Sequence, residues 1–107
     1  MKIEQKPKWS PSQERRGALP FNKWSQSRIK QGRKLCTSRF GHYGEDSRVE
    51  YVLYIPLWFV KKYLYSLEGA GSPEEFEEVW KKIYRGKFEP DRYVYVHFGD
   101  YKEKVVP

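Results

Sequence analysis

Lys34, Thr37 and Arg39 are the residues of this 107-residue chain whose types and spacing can do chemistry together. They follow a glycine turn in the run Ile29-Lys30-Gln31-Gly32-Arg33-Lys34-Leu35-Cys36-Thr37-Ser38-Arg39. Lysine and arginine attract anions, and a hydroxyl beside them can be oriented or activated. Side chains on a strand alternate between faces, so Thr37 and Arg39 share one face. Lys34 must reach them from the strand entry. The simplest functional picture is a basic pocket rimmed by a hydroxyl.

The elements that must hold this run are readable on both sides of it. Residues 22–31 form a short helix, with Asn22 or Ser25 as cap and Trp24, Arg28 and Ile29 at near-helical spacing. Gly32 stops it. Residues 34–39 read as a strand, and Phe40 to Ser47, with Gly41, Gly44 and Asp46, as a loop. Residues 48–55, rich in Val, Tyr and Ile, are the clearest strand of the first half. From Pro56, the spacing of Leu57, Val60, Leu64 and Leu67 fits an amphipathic helix closed by Gly69 and Gly71. Ser72-Pro73-Glu74-Glu75 then opens a second one, with Ser72 as cap, Pro73 at the first position and Glu75 placed for a capping box. Phe76, Val79, Trp80 and Ile83 make its apolar stripe, and Gly86 ends it. Residues 92–98 alternate as a strand, with Val94, Val96 and Phe98 on the expected core face and Tyr93, Tyr95 and His97 opposite. The class is therefore α+β: a small mixed sheet or incomplete barrel with two to three flanking helices.

Length suits one domain with a small core. Residues 1–20, punctuated by Pro7, Pro11, Gly17 and Pro20, read as an irregular basic N-terminal arm that Trp9 and Leu19 can pin to the body. Residues 21–107 are the domain proper, with a charged tail from Asp100. Aromatic residues make up 18% of the chain, which argues against general disorder. The net charge of +7 is uneven. Residues 1–48 hold twelve Lys or Arg against four Asp or Glu, and residues 49–107 hold nine against ten. A basic half beside a neutral one suits a polyanion such as RNA or DNA, although a solvated charged surface gives the same count. The single cysteine excludes an intramolecular disulfide and fits a reducing compartment. No apolar run is long enough to span a bilayer, and the first residues lack a secretory signal's apolar stretch, so a cytoplasmic protein without a membrane partner is expected. Two histidines and one cysteine do not make a metal cluster, and no cofactor is expected.

Three segments in order resemble the ASCH domain, a member of the PUA-like superfamily. The first is Gly32-Arg33-Lys34-Leu35-Cys36-Thr37-Ser38-Arg39, and the second is Ile55-Pro56-Leu57. The third is Glu68-Gly69-Ala70-Gly71-Ser72-Pro73-Glu74-Glu75-Phe76, followed by Val79-Trp80 and Tyr93-Val94-Tyr95-Val96-His97-Phe98. Together they cover most of residues 21–98. Between Gly44-Glu45-Asp46, similar to the family's glycine-aspartate turn, and Ile55-Pro56-Leu57 there is room for only one strand, so the barrel is expected to be trimmed. The resemblance implies a PUA-like domain with a basic-walled cleft that binds RNA, another nucleic acid or a modified nucleoside. It also implies a possible hydrolase: some small ASCH proteins look like amidohydrolases of acetylated cytidine, using a lysine, a threonine and a glutamate. Lys34 and Thr37 match the first two, and Glu68 the third, with a one-residue difference in the following loop. Arg39 matches the family's arginine, an anion contact.

On this reading Lys34 lowers the proton affinity of the Thr37 hydroxyl or orients a water, and Glu68 is the general acid/base. The competing reading makes Lys34 and Arg39 phosphate clamps, Thr37 a strand former and Glu68 a partner of one of the cations. Arg33 and Lys30 add backbone contacts to a nucleic-acid surface, and Tyr43 adds a stacking ring; Tyr51, Tyr54 and Trp58 are further rings of that kind. Cys36 is expected in the core rather than as a nucleophile. His97 reads as a satisfied or surface histidine, and Trp24 as largely buried. A protein-interaction or structural domain is the third class of function left open by these residues.

Overall fold

The computed structural model describes residues 13–102. Seven segments of regular structure appear in the expected order. Helix α1 is Lys23–Lys30, strand β1 is Cys36–Arg39 and strand β2 is Val49–Pro56. Helix α2, Leu57–Phe59, passes directly into a π-helical turn, Val60–Leu64. Helix α3 is Pro73–Ile83 and strand β3 is Tyr93–Gly99.

The sheet has the order β1-β3-β2 and is antiparallel at both ladders. The expected mixed sheet is therefore corrected. β3, last in sequence, enters between the two earlier strands and runs opposite to both. Cys36 pairs with Phe98 on one side, and Ile55 pairs with Val94 on the other. β1 and β2 form the two edges, so the three strands make an open sheet.

Alternation along β1 and β3 turns Cys36, Val94 and Val96 toward the helices. There they pack with Ile55, Leu57, Val60, Ala70, Phe76 and Trp80 in one apolar cluster. The helix dipole and cap explain why α3 begins where it does. Ser72 Oγ accepts the Glu75 N–H at 3.0 Å, with Pro73 at the first position. Glu75 does not close the capping box on Ser72. Its carboxylate takes the Gly71 N–H at 2.6 Å and the Arg28 guanidinium at 3.1 Å instead.

The opposite face of β3 is covered as well. Tyr95 and His97 are fully buried, and His97 is the satisfied histidine of its two readings. The loop after β1 lies over them: His42 meets the Tyr95 ring at 5.5 Å, and Tyr43 meets His97 at 5.8 Å. Residues 13–20 extend that cover, with Glu14 bridged to His42 and the buried Leu19 donating its N–H to Asp46 Oδ2 at 2.8 Å. A three-stranded sheet thus has apolar or aromatic cover on both faces. Residues 1–12, which hold most of the expected basic arm and Trp9, and residues 103–107 of the expected tail lie outside the described residues. No described helix is long and apolar enough to cross a membrane.

Candidate functional site

The site forms where β1 meets the turn after the π-helical segment. Leu67 carbonyl oxygen accepts both the Leu35 N–H (2.7 Å) and the Cys36 N–H (3.1 Å). This fork docks residues 64–70 onto the entry of β1 and sets Glu68 beside Lys34. Gly69 follows with φ of +102°, a conformation open to glycine at little cost.

Lys34 is 5% exposed and Glu68 4%, so the pair is buried. Lys34 Nζ donates to Glu68 Oε1 at 3.1 Å and to the Glu68 carbonyl at 2.9 Å. Ser38 Oγ donates to the other carboxylate oxygen, Oε2, at 2.5 Å. A buried ammonium and carboxylate are tolerable only when each neutralises the other and remaining valences are hydrogen-bonded. Ser38 supplies one of those bonds. Sequence reasoning passed over it, although alternation places positions 34, 36 and 38 on one side of the strand.

Thr37 and Arg39 adjoin one another, with Arg39 Nε donating to Thr37 Oγ1 at 3.3 Å. Arg39 Nη2 is anchored on the Pro20 carbonyl, and the guanidinium lies 5.3 Å from the Phe21 ring centre. Behind Thr37, His97 braces the strand. Its Nε2 accepts the Tyr43 N–H at 3.0 Å, so the ring proton is on Nδ1, facing the Thr37 carbonyl at 3.3 Å. Burial first, then electrostatic repulsion from nearby His42 and Arg39, lowers His97 to a pKa of about 4. It is a neutral structural histidine at ordinary pH.

Lys34, Thr37, Ser38, Arg39 and Glu68 all line one cavity of about 370 Å³. Phe21, Trp24, Phe76, Trp80 and Tyr84 contribute to its apolar walls. Trp24 is half-buried rather than largely buried, because one side of it faces this space. Its ring is held by an indole N–H bond to Glu75 at 3.4 Å and by the Arg28 guanidinium 4.7 Å from the ring centre. Arg28 also donates to the Gly69 carbonyl at 3.1 Å. Glu75 thereby ties α1, the Gly69–Gly71 turn and the start of α3 together. The Gly71 N–H, then Arg28 and Trp24, hold its carboxyl below the ordinary glutamate range.

Four of the residues singled out from sequence, Lys34, Thr37, Arg39 and Glu68, therefore converge. Lys30, Arg33 and Tyr43 do not line the cavity. Lys30 and Arg33 are exposed, Arg33 being bonded to Gln31 at 3.0 Å. Tyr43 is half-buried, with the Arg39 guanidinium 6.0 Å from its ring centre. Cys36 is fully buried in the core, and burial, together with the Glu68 charge, pushes its thiol well above the ordinary range. That environment suppresses thiolate chemistry. Among the described residues no group of three His, Cys, Asp or Glu side chains could hold a metal ion.

The arrangement offers an aromatic-walled space lined by hydrogen-bonding groups of both signs and by the Arg39 guanidinium. Comparison with protein-family models, with curated proteins and with solved structures gave no significant match.

Proposed function

We propose that this protein binds RNA, or a modified nucleoside, by enclosing one nucleobase in the cavity above β1. The observation that carries the reading is the convergence of Lys34, Ser38, Thr37, Arg39 and Glu68 on an aromatic-walled space of about 370 Å³. That volume falls in the range of roughly 300–1,000 Å³ typical of small-molecule sites. A nucleobase presents both donors and acceptors at its edge, which suits a floor holding an ammonium, hydroxyls and a carboxylate. Its flat faces suit Trp24, Trp80 and Tyr84. Arg39 is placed to meet a phosphate or sugar, and the +7 net charge favours a polyanion. The same residues support membership in the ASCH group of the PUA-like superfamily, with a sheet reduced to three strands.

Fluorescence titration with short single-stranded RNA and with nucleosides, at two salt concentrations, tests the reading. Binding is expected to weaken at high salt for RNA, and Arg39→Ala is expected to weaken it further. The absence of binding by either ligand class at low salt overturns the proposal.

A second reading is favoured by one distance, the 3.1 Å between Lys34 Nζ and Glu68 Oε1 inside the cavity. It is hydrolysis of an acyl group from N4-acetylcytidine or a related nucleoside. Glu68 would take a proton from water as the resulting hydroxide attacks the amide carbonyl. Lys34 would stabilise the oxyanion, and the proton would pass from Glu68 to the departing exocyclic nitrogen, giving acetate and cytidine. Release of acetate from N4-acetylcytidine, lost in Glu68→Gln, tests it; unchanged substrate after long incubation with equimolar protein rules it out.

A further inference from the structure

A second cavity opens beside the first, on the other side of the end of α3. Its volume is about 230 Å³. Trp80, Ile83 and Tyr84 line both cavities and form a ridge shared by the two. Phe40 forms the second cavity's aromatic wall, with its ring centre 5.0 Å from Tyr84 and 5.6 Å from Trp80. The Arg92 guanidinium lies over Phe40 at 3.9 Å from the ring centre. Arg85 and Lys87 join Arg92 in the lining, against one acid, Glu89, which contacts Arg92 at 3.3 Å in an exposed pair. Three cations against one carboxylate give this cavity a positive balance.

Two further observations bear on the same place. Among the described residues, Arg85 is the one non-glycine residue in the left-handed backbone region, with φ of 58°. A glycine would sit there without strain, yet an arginine does, at the rim of the cavity. Burial raises the Tyr84 phenol, while Arg39 in the first cavity and Arg92 in the second both act to lower it. The dividing ridge therefore lies within the field of a guanidinium on each side.

We infer that the second cavity receives the nucleotide adjoining the one held in the first, so that the ligand is a single strand rather than a free nucleoside. This rests on the proposed nucleobase reading of the first cavity and adds to it the length of the ligand. The backbone phosphate between two bases would cross the Trp80–Tyr84 ridge between Arg39 and Arg92. The flanking base would stack on the Arg92 guanidinium, which Phe40 backs at 3.9 Å, and Arg85 and Lys87 would follow the backbone beyond. Sequence tolerance is expected at this second position, because stacking and charge, unlike a paired polar floor, accept any base.

The test uses the full chain and compares the four ribonucleosides with the matching dinucleotides UpU, CpC, ApA and GpG by tryptophan fluorescence. Wild-type protein is expected to bind the best dinucleotide about tenfold or more tightly than its nucleoside, the gain that base stacking typically supplies. Arg92→Ala and Arg92→Glu, both substitutions at an exposed position, are expected to abolish that gain and leave nucleoside affinity unchanged. Nucleoside binding with no dinucleotide advantage overturns this inference and leaves the nucleobase reading standing. An advantage that survives both substitutions also overturns it, since the extra nucleotide then lies elsewhere. If neither ligand class binds, the nucleobase reading fails and this inference fails with it.

Discussion

The Lys34 ammonium and the Glu68 carboxylate meet at 3.1 Å, thirty-four positions apart in sequence and both almost wholly buried. Breaking such a pair from one side leaves an uncompensated charge, which typically costs 3–5 kcal/mol. Lys34→Met and Glu68→Leu should each destabilise the fold by roughly that amount. The double substitution Lys34→Met/Glu68→Leu should recover much of the loss, because two apolar side chains need no counter-charge. A double-mutant cycle by urea denaturation reads the coupling. Additive losses would mean that the two charges are not coupled.

His97 makes stability depend on pH. Its ordinary pKa of 6.5 falls to about 4 in the fold. Between those values the unfolded chain binds a proton that the native chain does not, so stability is present above pH 6.5 and is lost as pH falls toward 4. The full loss is roughly 3 kcal/mol for a shift of this size. Asp46, lowered to about 2 first by its Arg48 hydrogen bond, adds a second loss below pH 3.8. Denaturation curves at pH 7, 5 and 3.5 should show a continuous decline. His97→Gln should be less stable at pH 7 and flatter between pH 6.5 and 4. A wild-type stability independent of pH over that interval would contradict the buried neutral imidazole.

Gly69 is the backbone position on which the site geometry depends. A Cβ there would stand 2.9 Å from Arg28 Cβ, 3.1 Å from Arg28 Cγ and 3.4 Å from Lys34 Cβ, at a φ of +102°. Gly69→Ala should cost roughly 1–3 kcal/mol in backbone strain, with crowding against the two stems in addition. Gly32, at φ of +73°, has nothing within 4 Å of such an atom. Gly32→Ala is therefore the control that carries backbone strain alone. Thermal melts should place Gly69→Ala below Gly32→Ala by about 5 °C or more. Equal melting temperatures would show that the turn does not hold Arg28 and Lys34 in place.

The local signals were readable because they act over a few residues. Ser72 and Pro73 start α3 by capping its first turn, and Gly32 and Gly86 end helices by adopting positive φ. The alternation of β3 likewise fixed Val94 and Val96 on the core face. It could not show that Tyr95 and His97 are buried too, because their cover comes from His42 and Tyr43, more than fifty positions away. The sheet was misjudged as mixed for a related reason. Strand direction depends on where β3 inserts, and no local pattern encodes that. The π-helical turn at Val60–Leu64 also escaped the periodicity, since Leu57, Val60 and Leu64 fit an ordinary helix equally well.

By itself the sequence determined that Thr37 and Arg39 share a face of one short strand with Lys34 just before its start, because side chains alternate along a strand that rises only about 3.3 Å per residue. Family likeness, not local geometry, nominated Glu68. Only the tertiary structure decided what these side chains do together. The Leu67 carbonyl fork brings Glu68 to Lys34, and Ser38 completes the carboxylate's bonding. Trp24, Trp80 and Tyr84, from two helices and a turn, then close aromatic walls around the result. A buried charge pair is stable only where such distant groups satisfy it, and that condition is met in three dimensions, not along the chain.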